Sequence, residues 1–224
     1  MALLQGPRLA PLQGPATHLV VLVHGYGADG NDLISLASHW QELLPRCEFV
    51  APNAPERVPG APSGFQWFAL TDFSPAEKAR GVQMAAPVLE DFLKMEEARL
   101  GLTSDHVALA GFSQGTMLSL AVGLRRRVAA IIGFSGQLVA PPPAGAVAPP
   151  ILLTHGSADQ VIPALAMFDS ATMLGAAGAC VQWHLSHGMG HGIDQVALDM
   201  AGYFLADAFA GRLARSGPAS CLLK

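Results

Sequence analysis

One pentapeptide and its setting restrict this chain more than any bulk property. Gly111-Phe112-Ser113-Gln114-Gly115 is fed by the apolar run His106-Val107-Ala108-Leu109-Ala110 and followed by a helix-compatible segment, 116–122. A Gly-x-Ser-x-Gly sequence between a buried strand and a helix fits a sharp, strained turn that lifts the serine hydroxyl above a sheet. The flanking glycines let neighbouring backbone approach without a Cβ clash. Ser113 is therefore the candidate nucleophile.

The rest of the chain supplies such a sheet. Short β-type runs at 18–24, 48–51, 106–110, 128–134, 151–155 and 181–185 alternate with helical stretches near 31–44, 75–99, 114–124, 164–174 and 193–213. Several runs are almost wholly apolar, as strands covered on both faces must be. Repeated alternation predicts an α/β fold with a doubly wound, mainly parallel sheet and helices on both faces. Ser74, Pro75 and Glu77 read as a capping box opening the second helix, which Pro87 should kink or interrupt. The Pro-rich stretch 140–150 reads as a surface loop. One domain over 1–224 is expected, with an N-terminal arm to about 17 and a C-terminal tail from about 213.

A serine hydroxyl is a weak nucleophile at neutral pH and needs a base, and the base needs a carboxylate to fix its tautomer. In elbow hydrolases these follow the serine as acid and then histidine. Ile151-Leu152-Leu153-Thr154-His155-Gly156 is a buried strand running into Ser157-Ala158-Asp159, so Asp159 lies in the following loop. An aspartate in a turn is ordinarily a turn or cap residue; Asp159 is set apart by its place in the order. Asp169, Asp194, Asp199 and Asp207 fall within predicted helices and read as solvated. After the last strand comes Ser186-His187-Gly188-Met189-Gly190-His191-Gly192, a loop offering histidines. Acyl transfer also needs two fixed backbone N–H groups for the developing oxyanion. One is expected from Gln114, the other from the turn His24-Gly25-Tyr26-Gly27, most naturally Tyr26.

Two rival chemistries are visible. Gly25-Tyr26-Gly27-Ala28-Asp29-Gly30 matches a dinucleotide-binding G-x-G-x-x-G, but the second strand ends Phe49-Val50-Ala51-Pro52-Asn53 without the acid the ribose requires. His184, His187 and His191 fall close together in sequence, but no H-E-x-x-H or cysteine motif accompanies them. Neither a cofactor nor a metal is expected. The turn has no lysine before the next helix, so the substrate should be neutral rather than a phosphate ester.

With 51% hydrophobic and 13% charged residues, the chain has material for a large core and is too apolar for disorder. Net charge is −4, and Arg125-Arg126-Arg127 reads as the closing turn of a helix rather than a nucleic-acid patch. Cys47, Cys180 and Cys221 are odd in number and scattered, which argues against a disulfide framework and fits a reducing compartment. The first residues lack a signal pattern and no apolar run has membrane length. The terminal Cys221-Leu222-Leu223-Lys224 formally matches a prenylation box but ends on lysine. A cytoplasmic protein without a stable membrane anchor is expected.

At this point the chain resembles the phospholipase/carboxylesterase family of α/β hydrolases, which contains acyl-protein thioesterases and small bacterial carboxylesterases. The likeness runs from about 18 to 209 through His24-Gly25-Tyr26-Gly27, Gln66-Trp67-Phe68, the 111–115 elbow, His155-Gly156-Ser157-Ala158-Asp159 with Val161 and Pro163, and Met189-Gly190-His191. The resemblance implies an α/β-hydrolase fold with no large cap domain, a triad of Ser113, Asp159 and His191, and oxyanion amides from Tyr26 and Gln114. Tyr26, Thr116 and Ser157 depart from residues frequent in the family. His191 also lies between Gly190 and Gly192, which would allow a tight backbone path presenting its ring to Ser113. His184 is fixed by the pleat of its predicted strand.

These readings converge on a serine carboxylesterase working through an acyl-enzyme on a small-molecule ester with a largely apolar acyl group. A thioesterase or lysophospholipase is the alternative within the class, and a non-catalytic α/β binding protein outside it. Phe65, Trp67, Phe68 and Leu70 are candidates for an apolar wall, with Trp67 and Phe68 as substrate-binding residues; plain core packing describes them equally well. A homodimer is left open.

Overall fold

The computed structural model describes residues 4–142 and 148–215. The 221–224 box, most of the tail from 213 and part of the 140–150 loop lie outside them.

Six strands form the parallel sheet foreseen from the apolar runs: β2 (His18–Val23), β3 (Cys47–Val50), β6 (Val107–Phe112), β7 (Ala130–Phe134), β8 (Ile151–Gly156) and β9 (Val181–Ser186). A seventh, β1 (Arg8–Leu9), pairs antiparallel with β3, and the spatial order is β1-β3-β2-β6-β7-β8-β9. Part of the expected N-terminal arm is thus an edge strand. Arg8 is held there by Glu96 at 2.7 Å and Glu48 at 3.3 Å, and Arg99 joins the same two carboxylates. A two-residue run carries too little pattern to read from sequence, and the small hairpin of β4 (Glu56–Arg57) and β5 (Phe65–Gln66) was missed for the same reason.

The pleat sorts alternate strand residues to opposite faces. Leu19, Val21, Val23, Val107 and Leu109 pack with α2 (Pro75–Leu100) and α3 (Gln114–Gly123). Val20, Leu22, Ala108, Ala110 and Ile132 pack with α1 (Gly30–Ala37) and α5 (Gln195–Phe209). α4 (Leu165–Ala176) covers the first of these faces further along, where Met167 and Leu174 meet Ile131 and Leu153. This is the doubly wound α/β-hydrolase architecture, with no large cap among the described residues.

Local signals were read with mixed success. Ser74 Oγ accepts from Glu77 N at 3.1 Å as a cap, but the reciprocal half of the box is absent: the Glu77 carboxylate takes the amides of Thr71, Asp72 and Phe73 instead. The full box lies at α1, between Asp29 and Asp32. α2 runs through Pro87 as one helix; Pro87 faces solvent, where the carbonyl it leaves unpaired can be hydrated. Asp194 is not a solvated helix residue but the cap of α5, accepting from Ala197 N at 2.8 Å. The arginine triplet lies just past α3, where Arg125 donates to the Ala121 carbonyl and Arg126 pairs with Glu97. Cys180 is disulfide-bonded, against the expectation drawn from the scattered cysteines, while Cys47 is free and buried. Among the described residues no helix is long and apolar enough to cross a membrane.

Candidate active site

Parallel strands place their following loops on one rim, where open α/β sheets hold their sites. Tyr26 follows β2, Ser113 follows β6, Asp159 follows β8 and His191 follows β9, so all four reach that rim.

Ser113 caps α3 with φ 53° and ψ −113°, a left-handed conformation that a non-glycine residue adopts only when its surroundings enforce it. The enforcement is visible. Ser113 N donates to Phe134 O at 2.9 Å, and the Thr116 hydroxyl reaches Gly111 O at 2.7 Å and Phe134 O at 2.9 Å. Thr116, a departure from the family pattern, therefore staples the elbow. Gly115 is required by close approach, since a Cβ there would overlap the Val23 carbonyl.

Asp159 is fully buried at its side chain. Oδ1 accepts the amides of Val161 at 2.8 Å and Ile162 at 2.9 Å. Oδ2 accepts from His191 Nδ1 at 2.7 Å. Burial by itself would raise the Asp159 pKa; the His191 bond and the Ile162 and Val161 amides outweigh it and hold the carboxyl below its usual range. Nδ1–H of His191 is thereby committed, and Nε2 keeps its lone pair. The His191 ring lies 5.0 Å from the Phe112 ring, beside the residue preceding Ser113.

The structure brings Asp159 and His191 together and leaves the other histidines of the region elsewhere. His184 is on β9, and His187 is exposed at the start of the loop. The left-handed glycine of this loop is Gly188, at φ 71°. The loop is fixed by long-range bonds. Ala158 N donates to Met189 O at 2.8 Å, Gly188 N to Ser157 Oγ at 2.8 Å, and Ser135 Oγ to Gly192 O at 2.8 Å. Ser157, another departure, thus has a task in this loop.

Asp159 has a second histidine neighbour, one that the order of motifs did not single out. His155, with no exposed side chain, points Nε2 at Asp159 Oδ2 (3.1 Å) and at Ile162 O (2.8 Å). Its position four residues before the aspartate was the available signal.

The Gly-rich turn lies against the elbow: a Cβ built on Gly25 would stand 3.3 Å from Ser113 Cβ. Tyr26 is exposed and Gln114 is buried. The first-turn amides of α1, which a dinucleotide phosphate would use, are taken by the Asp29 carboxylate at 2.7 Å and 3.3 Å. Trp67 and Phe68 are 3% and 5% exposed and belong to the core beneath the turn. Among the described residues no group of three or more His, Cys, Asp or Glu could hold a metal ion.

Comparison with known proteins shows the family. A family described as phospholipase/carboxylesterase matches residues 5–208. Acyl-protein thioesterase 1 of Gibberella zeae is 28% identical, covering 88% of this chain and 95% of its own length. Esterase YpfH of Escherichia coli is 29% identical over 84% and 81%. The crystal structure of esterase PE8 superposes with a TM-score of 0.88 at 41% identity, covering 92% of this chain and all of that one.

Proposed function

The chain belongs to the phospholipase/carboxylesterase family of α/β hydrolases, and from that premise we propose that it hydrolyses carboxylic esters through an acyl-enzyme on Ser113. The observation that carries the reading is the pairing of a strained Ser113 with the buried Asp159–His191 hydrogen bond on the same rim. His191 Nε2 takes the hydroxyl proton as Ser113 Oγ attacks the ester carbonyl. Asp159, held ionised, stabilises the imidazolium so formed. The amides of Tyr26 and Gln114 receive the oxyanion. His191 then returns the proton to the departing alcohol, and a water repeats the sequence to release the acid. The chain's own residues suffice for each step, with no cofactor or metal in any role.

The substrate proposed is a small, neutral ester with a largely apolar acyl group, since Asp29 and Asp32 crowd the entrance of α1 with negative charge. Trp67 and Phe68 act from beneath the site, giving the turn its position. The relatives named acyl-protein thioesterase favour a second reading, thioester hydrolysis, by the same chemistry. A fluorophosphonate should label Ser113, and Ser113→Ala should remain folded with turnover reduced by about three orders of magnitude or more. An unlabelled Ser113 would leave a non-catalytic binding protein as the better reading. An ester and thioester panel graded in acyl length then separates the two substrate classes.

A further inference from the structure

Segment 65–68 is bonded on one side to Gln114 and on the other to the turn that carries Tyr26. On one side the Gln114 side chain binds it as a neighbouring peptide would: Oε1 accepts from Trp67 N at 2.9 Å and Nε2 donates to Phe68 O at 2.8 Å. On the other side the segment grips the turn. The Trp67 indole donates to His24 O at 3.0 Å, Gly27 N donates to Phe65 O at 2.9 Å, and Phe65 N donates to Ala28 O at 2.9 Å. Gly64, at φ 93°, packs so closely on the Gly27 carbonyl that a Cβ would overlap it. His24 completes the grip, with Nδ1 donating to Gly25 O at 2.7 Å and Nε2 accepting from Ala54 N at 2.9 Å. Gln114, Trp67 and His24 are all 3% exposed or less.

We propose that the side chains of Gln114, Trp67 and His24 are positioning residues that hold the Tyr26 and Gln114 amides in one fixed register. The proposal rests on the serine mechanism above and deepens it. Oxyanion stabilisation depends on donors lying about 2.7–3.1 Å from where the charge will develop, with no reorganisation during the reaction. The turn is soft by composition, with glycine on both sides of Tyr26. Its amide direction must therefore be set from outside. Gly25 O and Gly27 N, the groups bracketing Tyr26, are the ones tied down by His24 and Phe65. Gln114 has a double duty: its backbone amide is one donor, and its side chain ties that donor to the segment that grips the turn carrying the other.

The test uses Trp67→Phe, which keeps an aromatic ring and deletes the indole donor, and Gln114→Met, which keeps length and deletes both side-chain hydrogen bonds. Three readouts apply: kcat and KM on a short-chain nitrophenyl ester, and Ki of a trifluoromethyl ketone, whose hemiketal with Ser113 carries an oxyanion. Deleting an oxyanion donor outright costs about a hundredfold to a thousandfold. Displacing one should lower kcat by about 5- to 100-fold, with KM within about twofold and Ki rising by the same factor as kcat falls. The double variant should lose less than the product of the two, because both bonds hold one segment. A folded Trp67→Phe with unchanged kcat and Ki, or a rise in KM alone, would overturn the proposal. If only one variant folds, its kcat and Ki decide; if neither folds, the network is structural and the proposal fails. Fluorophosphonate labelling of the wild type keeps the premise separate: no label on Ser113 sinks the serine mechanism, whereas a labelled enzyme with unaffected variants sinks only the positioning role.

Discussion

Asp159→Asn changes one atom, and its consequences can be worked through the hydrogen bonds of the carboxylate and its contact with His155. Val161 and Ile162 present N–H groups to Oδ1, so the asparagine oxygen must stay there and the new NH2 takes the Oδ2 position. That NH2 now faces His191 Nδ1 and His155 Nε2, both donors in the native arrangement. His191 is driven to the tautomer protonated on Nε2, which cannot accept the serine proton. The imidazolium also loses its counter-charge. At an effective dielectric of about 20, an ion pair at about 4 Å is worth about 4 kcal/mol. At about 1.4 kcal/mol per decade this is about a thousandfold in rate. The expected fall in kcat is thus about a hundredfold to ten-thousandfold, with KM little changed. Stability suffers less, since the amide bonds survive: a loss of about 1–3 kcal/mol corresponds to about 2–12 °C in Tm for a chain of this size. The assay is steady-state ester hydrolysis at a temperature well below the variant's measured Tm. A kcat within about threefold of wild type would refute the assignment of Asp159, as would an equal loss from Asp169→Asn.

Three further outcomes are expected. At pH 8, His191→Ala should be nearly inactive while the exposed His187→Ala keeps at least about a tenth of the wild-type rate; the reverse would move the base to His187. Burial alone would raise the pKa of Glu96, but its bonds to Arg8 and Arg99 hold it below the ordinary 4.5. Its stabilisation should therefore be full above about pH 4.5 and vanish as pH falls through the lower folded value. The dependence of Tm on pH between 3 and 6 should flatten in Glu96→Gln, and an unchanged slope would count against the Arg8–Glu96–Arg99 cluster as its source. Ser135, buried with φ 45° and bonded to Gly192 O, should take no fluorophosphonate, yet Ser135→Ala should lower kcat about 2- to 10-fold by loosening the His191 loop; an adduct mapped to Ser135 would overturn the choice of Ser113.

The sequence by itself determined the parallel sheet, the elbow and the order of Ser113, Asp159 and the histidine loop. Each rests on neighbours along the chain: an apolar run makes a buried strand, a Gly-x-Ser-x-Gly makes a sharp turn, and parallel strands deliver their loops to one rim. Only the tertiary structure decided the remainder. The Gln114 side chain holding Trp67 and Phe68, and Arg8 bound to Glu96 and Glu48, join groups that no local pattern links. The loop of His191 is likewise tied by bonds with Ser157, Ala158 and Ser135. Propensity and periodicity act over a few residues and can be read along the chain. A buried hydrogen bond is fixed only once the fold has removed water from its partners and left each with one other group to meet.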